Sequence, residues 1–152
     1  MLKNTRQKQN GFSLLQLFTV IGIIAIMAAI SIPALRQYQP SMKLKAEARQ
    51  LASDLRYAQQ LTITEQKMHY IEINSIDGRY SLVKQENPSA PLKTVNLEPG
   101  INFQAVTGFD NNRIIFNSYG AVSQAGQIIL VNAQGNAYTI NVKPSGYVQL
   151  AQ

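Results

Sequence analysis

The chain has 152 residues, with 14 Lys or Arg against 8 Asp or Glu and a formal net charge of +6. That length suits one ordinary hydrophobic core with appendages rather than several domains. There is no cysteine, which excludes disulfides, thiol catalysis and Cys-ligated metals.

Lys3, Arg6 and Lys8 open the chain, and no acid appears before Glu47. From Phe12 to Leu35, 24 residues pass without a charged side chain, the polar ones being Ser13, Gln16, Thr19 and Ser31. A membrane-spanning helix needs about 20 mostly apolar residues. In hydrocarbon its backbone amides must be satisfied within the segment, which makes such a run helical. Basic residues ahead of a span tend to stay in the cytoplasm, so the expected topology is N-terminus inside and residues 36–152 outside. A cleavable secretory signal would carry its small residue after a shorter apolar core. Here Gly11 stands before the apolar run, an order that implies trimming of the basic tip and retention of the helix. Losing Lys3, Arg6 and Lys8 leaves 11 basic against 8 acidic side chains, a mildly basic product.

Pro33 and Pro40 predict a kink near the end of the span, and Arg36 marks the exit into water. Over residues 41–66, Leu44, Ala48, Leu51, Leu55, Ala58 and Thr62 recur at spacings of four and three, a stripe on one helix face. Lys45, Arg49, Arg56, Glu47, Asp54 and Glu65 lie off the stripe, on the side expected to meet water or neighbouring subunits. Lys43, Lys45 and Arg49 could touch anionic lipid headgroups; a solvated helix face is the commoner role for such charges. Span and stripe together predict one long kinked helix of about 50 residues, roughly 75 Å.

From Met68 the period becomes strand-like. His69, Ile71 and Ile73 alternate with Tyr70, Glu72 and Asn74, and Asp77-Gly78 predicts a hairpin into Arg79–Lys84. Further strands are expected at Lys93–Leu97, Ile101–Val106, Ile114–Phe116, Gly126–Val131, Tyr138–Val142 and Tyr147–Leu150. Loops are expected at Glu86–Pro91 and Gly108–Asn112, and turns at Pro99-Gly100 and Gln134-Gly135. The predicted class is α+β: a long helix packed on two small antiparallel sheets. The boundaries are 1–11 leader, 12–35 transmembrane helix, 36–66 amphipathic continuation and 67–152 sheet domain.

Gly11-Phe12-Ser13-Leu14-Leu15-Gln16-Leu17 resembles the processing site of type IV prepilins and type II secretion pseudopilins. Ala46–Gln59, Phe116–Gly120, Gly126–Leu130, Tyr138–Val142 and Ser145–Val148 resemble the GspH/FimT branch, and the likeness covers nearly all of residues 11–150. It implies that a prepilin peptidase cuts between Gly11 and Phe12 and that Phe12 is N-methylated. It further implies a minor subunit of a type IV pilus in a bacterial inner membrane, single-pass, acting in filament initiation or assembly. The implied partners are other pilin or pseudopilin subunits, the prepilin peptidase, an inner-membrane assembly platform and the lipid bilayer. The alternative is a GspH-like minor pseudopilin of a type II secretion system. Gln16 departs from the family, which carries Glu there to pair with the N-terminal ammonium of a neighbour during assembly.

A second alternative is a DNA-binding minor pilin for natural transformation. That activity rests on a Gly-Arg-x-Arg motif, and the matching Gly146-Tyr147-Val148-Gln149 lacks both arginines. Between Ile101 and Gln152 the basic residues are Arg113 and Lys143, against the acid Asp110. This is sparse for phosphate contacts, so nucleic acid is disfavoured. Any residual contact would fall on Tyr147, Gln149, Lys143 and Arg113. An enzyme is not expected. His69 is the sole histidine and reads as structural, with no nucleophile motif beside it. Asp110-Asn111-Asn112 lacks the spacing of a calcium loop. No metal or cofactor is expected.

Overall fold

Residues Leu14–Glu65 form a single 52-residue helix, α1. It belongs to a computed structural model that describes residues 13–151. Helical structure runs through Pro33 and Pro40, although each proline removes one backbone donor. Two compact units divide between Tyr38 and Gln39. At the C-terminal end of α1, Gln66 adopts a left-handed φ of 55° and its amide donates to the Ile63 carbonyl at 2.7 Å. A side chain thus satisfies a terminal carbonyl where glycine is the usual solution.

Eight strands follow. β1 (His69–Asn74), β2 (Arg79–Lys84), β3 (Lys93–Asn96) and β5 (Arg113–Phe116) make one antiparallel sheet in the order β3-β2-β1-β5. β4 (Ile101–Thr107), β6 (Gly126–Asn132), β7 (Ala137–Val142) and β8 (Val148–Ala151) make the other, in the order β4-β6-β7-β8. The Asp77-Gly78 turn closes the β1–β2 hairpin, with Asn74 opposite Arg79. Asn74 Oδ1 accepts the Ile76 and Asp77 amides at 3.1 and 3.0 Å, a side chain standing in for turn backbone.

The helical stripe is the centre of the core. Leu44, Ala48, Leu51, Leu55, Ala58 and Thr62 are all fully buried. The apolar members pack in one cluster with Ile71, Leu82, Ile114 and Phe116 of the first sheet and Ile128, Leu130 and Ile140 of the second. Burial of a large aliphatic side chain contributes about 1.5–3 kcal/mol, so this layer dominates the stability of the sheet-bearing unit.

Two expectations are corrected, those for Asp54 and for the 108–112 loop. Asp54 does not face water: it is 5% exposed, because its flank of α1 meets β2 and β3, which supply polar partners. Tyr70 is buried although it alternates with Ile71. It lies opposite Val83 and Ile115, and the Arg113 guanidinium sits 5.2 Å from its ring centroid. The 108–112 loop contains a one-turn 3₁₀ helix at Asp110–Asn112, with Asn111 at φ 53°.

Candidate functional site: an apolar span and a tethered sheet domain

Among the described residues, one helix segment is long and apolar enough to cross a membrane, Leu14–Pro33. Its large side chains, including Leu14, Phe18, Ile21, Ile24 and Ile30, are all exposed. A helix apolar on every side needs a bilayer or other helices around it. Its hydroxyls are already satisfied: Thr19 donates to the Leu15 carbonyl and Ser31 to that of Met27, each at 2.9 Å. Among the described residues the Gln16 carboxamide makes no such bond. Gly11, Phe12, Lys3, Arg6 and Lys8 lie outside the described residues.

The second unit is tied to its own stretch of α1 by charge as well as by core packing. Asp54 accepts the Tyr80 hydroxyl at 2.7 Å, Lys93 Nζ at 2.7 and 2.9 Å, and Gln50 Nε2 at 3.3 Å. A buried carboxylate is tolerated when it is paired and hydrogen-bonded. Burial, then the bond to Asp54, pushes the Tyr80 hydroxyl far above its ordinary range. Lys84 Nζ reaches Glu65 at 2.7 Å, Lys67 reaches Glu86 at 2.9 Å and Lys43 reaches Glu98 at 3.1 Å. The bond from Lys84 lowers the Glu65 carboxyl, and the bond from Lys67 lowers that of Glu86. Glu47 moves the other way, raised chiefly by burial.

Of the four residues singled out for a nucleic-acid contact, three come together. Lys143 Nζ lies 5.6 Å from the Tyr147 ring centroid, and Lys143 and Gln149 line the same cleft. Arg113 lies on the other sheet and is committed to Glu72, with contacts of 2.9 and 2.8 Å. His69 is fully buried. Its backbone amide donates to Thr62 Oγ1 at 3.2 Å and its Nδ1 lies 2.9 Å from the Lys67 carbonyl, a structural setting at the helix-to-strand junction. The Asp110 carboxylate accepts from Gln124 Nε2 at 2.6 Å. Among the described residues no group of three or more His, Cys, Asp or Glu could hold a metal. Reading the sequence missed the Asp54–Tyr80–Lys93 cluster. The available signal was an acid at position 54 immediately before the stripe residue Leu55, with no clue to its partners.

A long apolar N-terminal helix and two small antiparallel sheets packed on one helical stripe define a pilin-like fold. The family model described as type II transport protein GspH matches residues 47–146, and the chain belongs to that family. Among solved structures, the minor pseudopilin EpsH from the type 2 secretion system of Vibrio cholerae superposes with a TM-score of 0.61 at 12% identity, covering 72% of this chain and 96% of that one. The type IV minor pilin FimU of Pseudomonas aeruginosa gives 0.60 at 13% identity, covering 76% and 92%. Both likenesses concern the fold. Prepilin peptidase-dependent protein D of Escherichia coli is 61% identical over 31 residues, 20% of this chain. The match spans about a fifth of that relative's length, 21%.

Proposed function

We propose that this chain is a minor subunit of a type IV pilus or of a type II secretion pseudopilus, with a mechanical rather than enzymatic role. The observation that carries the reading is the all-round apolar helix Leu14–Pro33 in a chain of the GspH family. The helix holds the subunit in the inner membrane with its N-terminus cytoplasmic, then packs among like helices in a filament core. The sheet domain sets the lateral contacts. The prepilin peptidase cuts between Gly11 and Phe12, Phe12 is methylated, and the assembly platform moves the subunit from bilayer to filament.

Gln16 sets how the subunit joins. Its carboxamide accepts a hydrogen bond from a neighbour's N-terminal ammonium but cannot neutralise the charge, and charge-assisted bonds are roughly twice as strong as neutral ones. A subunit so built suits the tip of a filament rather than an extended stack. Intact-mass analysis of the membrane form tests the processing step: the expected product begins at N-methyl-Phe12. A product lacking the whole apolar run would overturn the reading. Co-purification from membranes identifies the machine, since the neighbouring subunits recovered belong to one system or the other.

A further inference from the structure

A cleft of about 460 Å³ lies over the second sheet, away from the core. The strand register places Thr107 opposite Gln127, Gln127 opposite Asn141 and Asn141 opposite Gln149. Directly opposed residues share a face of the sheet, and strands lie about 4.8 Å apart, so the row spans about 14 Å. Ile128 and Ile140, the next residues along β6 and β7, are fully buried on the other face. All four members of the row line the cleft. Among the described residues none of their side chains bonds to another part of the chain. Each carboxamide offers two N–H donors and one acceptor oxygen, so the row presents closely spaced donors and acceptors of both kinds.

Lys143, which also lines the cleft, flanks the Asn141–Gln149 pair at the β7–β8 turn, and Tyr147 stands at the cleft's margin, its ring centroid 5.6 Å from Lys143 Nζ. Tyr147 is 57% exposed, with the Lys143 ammonium over one face of its ring. Their turn is held rigidly. The Lys143 amide donates to the Tyr147 carbonyl at 2.9 Å and the Gly146 amide to the Lys143 carbonyl at 2.8 Å. Gly146 has φ +79° and lies so close to the Gly120 carbonyl that a Cβ there would clash with its oxygen. A platform fixed in this way loses little freedom when a ligand arrives.

We propose that this cleft binds a saccharide chain bearing sparse acidic groups. Ring hydroxyls match the carboxamide row, a sugar's C–H face stacks on the Tyr147 ring, and Lys143 takes a carboxylate. Charge decides between this and nucleic acid. In the stretch from Ile101 onward the sole acid, Asp110, is bonded to Gln124, and Arg113 is paired with Glu72. The cleft therefore offers one cation and no anion. Polynucleotide affinity grows with the number of phosphates neutralised, which one cation serves poorly. A hydroxyl-rich polymer with occasional carboxylates needs no more. The proposal stands independently of the membrane role of α1.

The test titrates the full chain in detergent micelles with three probes: a short glucan carrying a single glucuronate, the neutral glucan of equal length and a single-stranded oligonucleotide. Tyrosine fluorescence and calorimetry follow binding. The glucuronate-bearing glucan is expected to bind most tightly. Tyr147→Ala and Gln149→Ala should each weaken it about tenfold, the effect of one stacking or hydrogen-bonding contact. Lys143→Gln should abolish the preference for the acidic probe over the glucan. All three substitutions are at exposed side chains, and an unchanged unfolding midpoint shows that the fold is intact. The proposal is overturned if neither saccharide binds, if the oligonucleotide binds more tightly than both, or if the folded variants bind like the native chain.

Discussion

At Asp54 a buried carboxylate holds three partners from three elements: Gln50 on α1, Tyr80 on β2 and Lys93 on β3. Removing one partner of a buried pair leaves the others desolvated and unpaired, which costs more than the pair contributes as a whole. Asp54→Ala is therefore expected to lower unfolding stability by about 3 kcal/mol. Tyr80→Phe, which deletes one hydroxyl and keeps the ring, should lower it by about 1 kcal/mol. Urea unfolding of the variants measures both. No loss in Tyr80→Phe, which keeps the ring, would mean that the cluster acts by packing alone. Gly146 is a second sensitive position: Gly146→Ala meets both the positive φ and the Gly120 carbonyl. The expected loss is about 1–3 kcal/mol, typical of a residue forced into a disfavoured backbone region.

For the elements, the helix and strands were legible because their signals are local. The stripe from Leu44 to Thr62 follows directly from helical period, and Asp77-Gly78 and Gln134-Gly135 mark hairpins through turn chemistry. Asp54 was not legible, because the partners that make its burial tolerable lie 26 and 39 residues further along the chain. Tyr70 was missed for the same reason: its cover comes from Val83 and Arg113 on neighbouring strands. The grouping of Lys143, Tyr147 and Gln149 was visible as a short segment, whereas its link to Gln127 and Thr107 needed the sheet register. The helix end also carries a pH dependence. The Glu65 and Glu86 carboxyls are lowered from an ordinary value of 4.5. Their contribution is present above that value and is lost as pH falls through the lowered ones. Both groups are exposed, so added salt weakens the effect. Glu47 opposes it: raised above 4.5, its contribution is present below that value and lost as pH rises through the raised one. In the Glu65→Gln, Glu86→Gln double variant the loss of stability on acidification below about pH 4.5 should shrink, as followed by thermal melts at low ionic strength. An unchanged acid limb would show that neither pair contributes.

For the whole molecule, the apolar helix and the sheet domain impose opposite demands. A span exposing Leu14, Phe18, Ile21 and Ile30 requires a bilayer or a bundle of like helices. The sheet domain is closed around its own core and does not. On the proposed role, transfer from bilayer to filament exchanges lipid for protein around the same apolar surface, so polar groups inside the span would add selectivity to the lateral contacts of the sheet domain. Thr19 and Ser31 return their hydroxyl protons to α1 itself, and the proposed reading gives the recognition of a neighbour to Gln16. A carboxylate at the centre of a span costs about 2.5 kcal/mol or more in the bilayer, and less near the end, where position 16 stands. It is tolerated when a cation in the next subunit neutralises it, so it would drive the subunit out of lipid and into a stack. Gln16→Glu should accordingly raise the fraction of this subunit in sheared filaments, measured by quantitative blotting against the membrane-retained pool. Gln16→Leu, which removes the acceptor altogether, should lower that fraction. If both variants enter filaments as the native chain does, position 16 is silent and the span acts through shape alone.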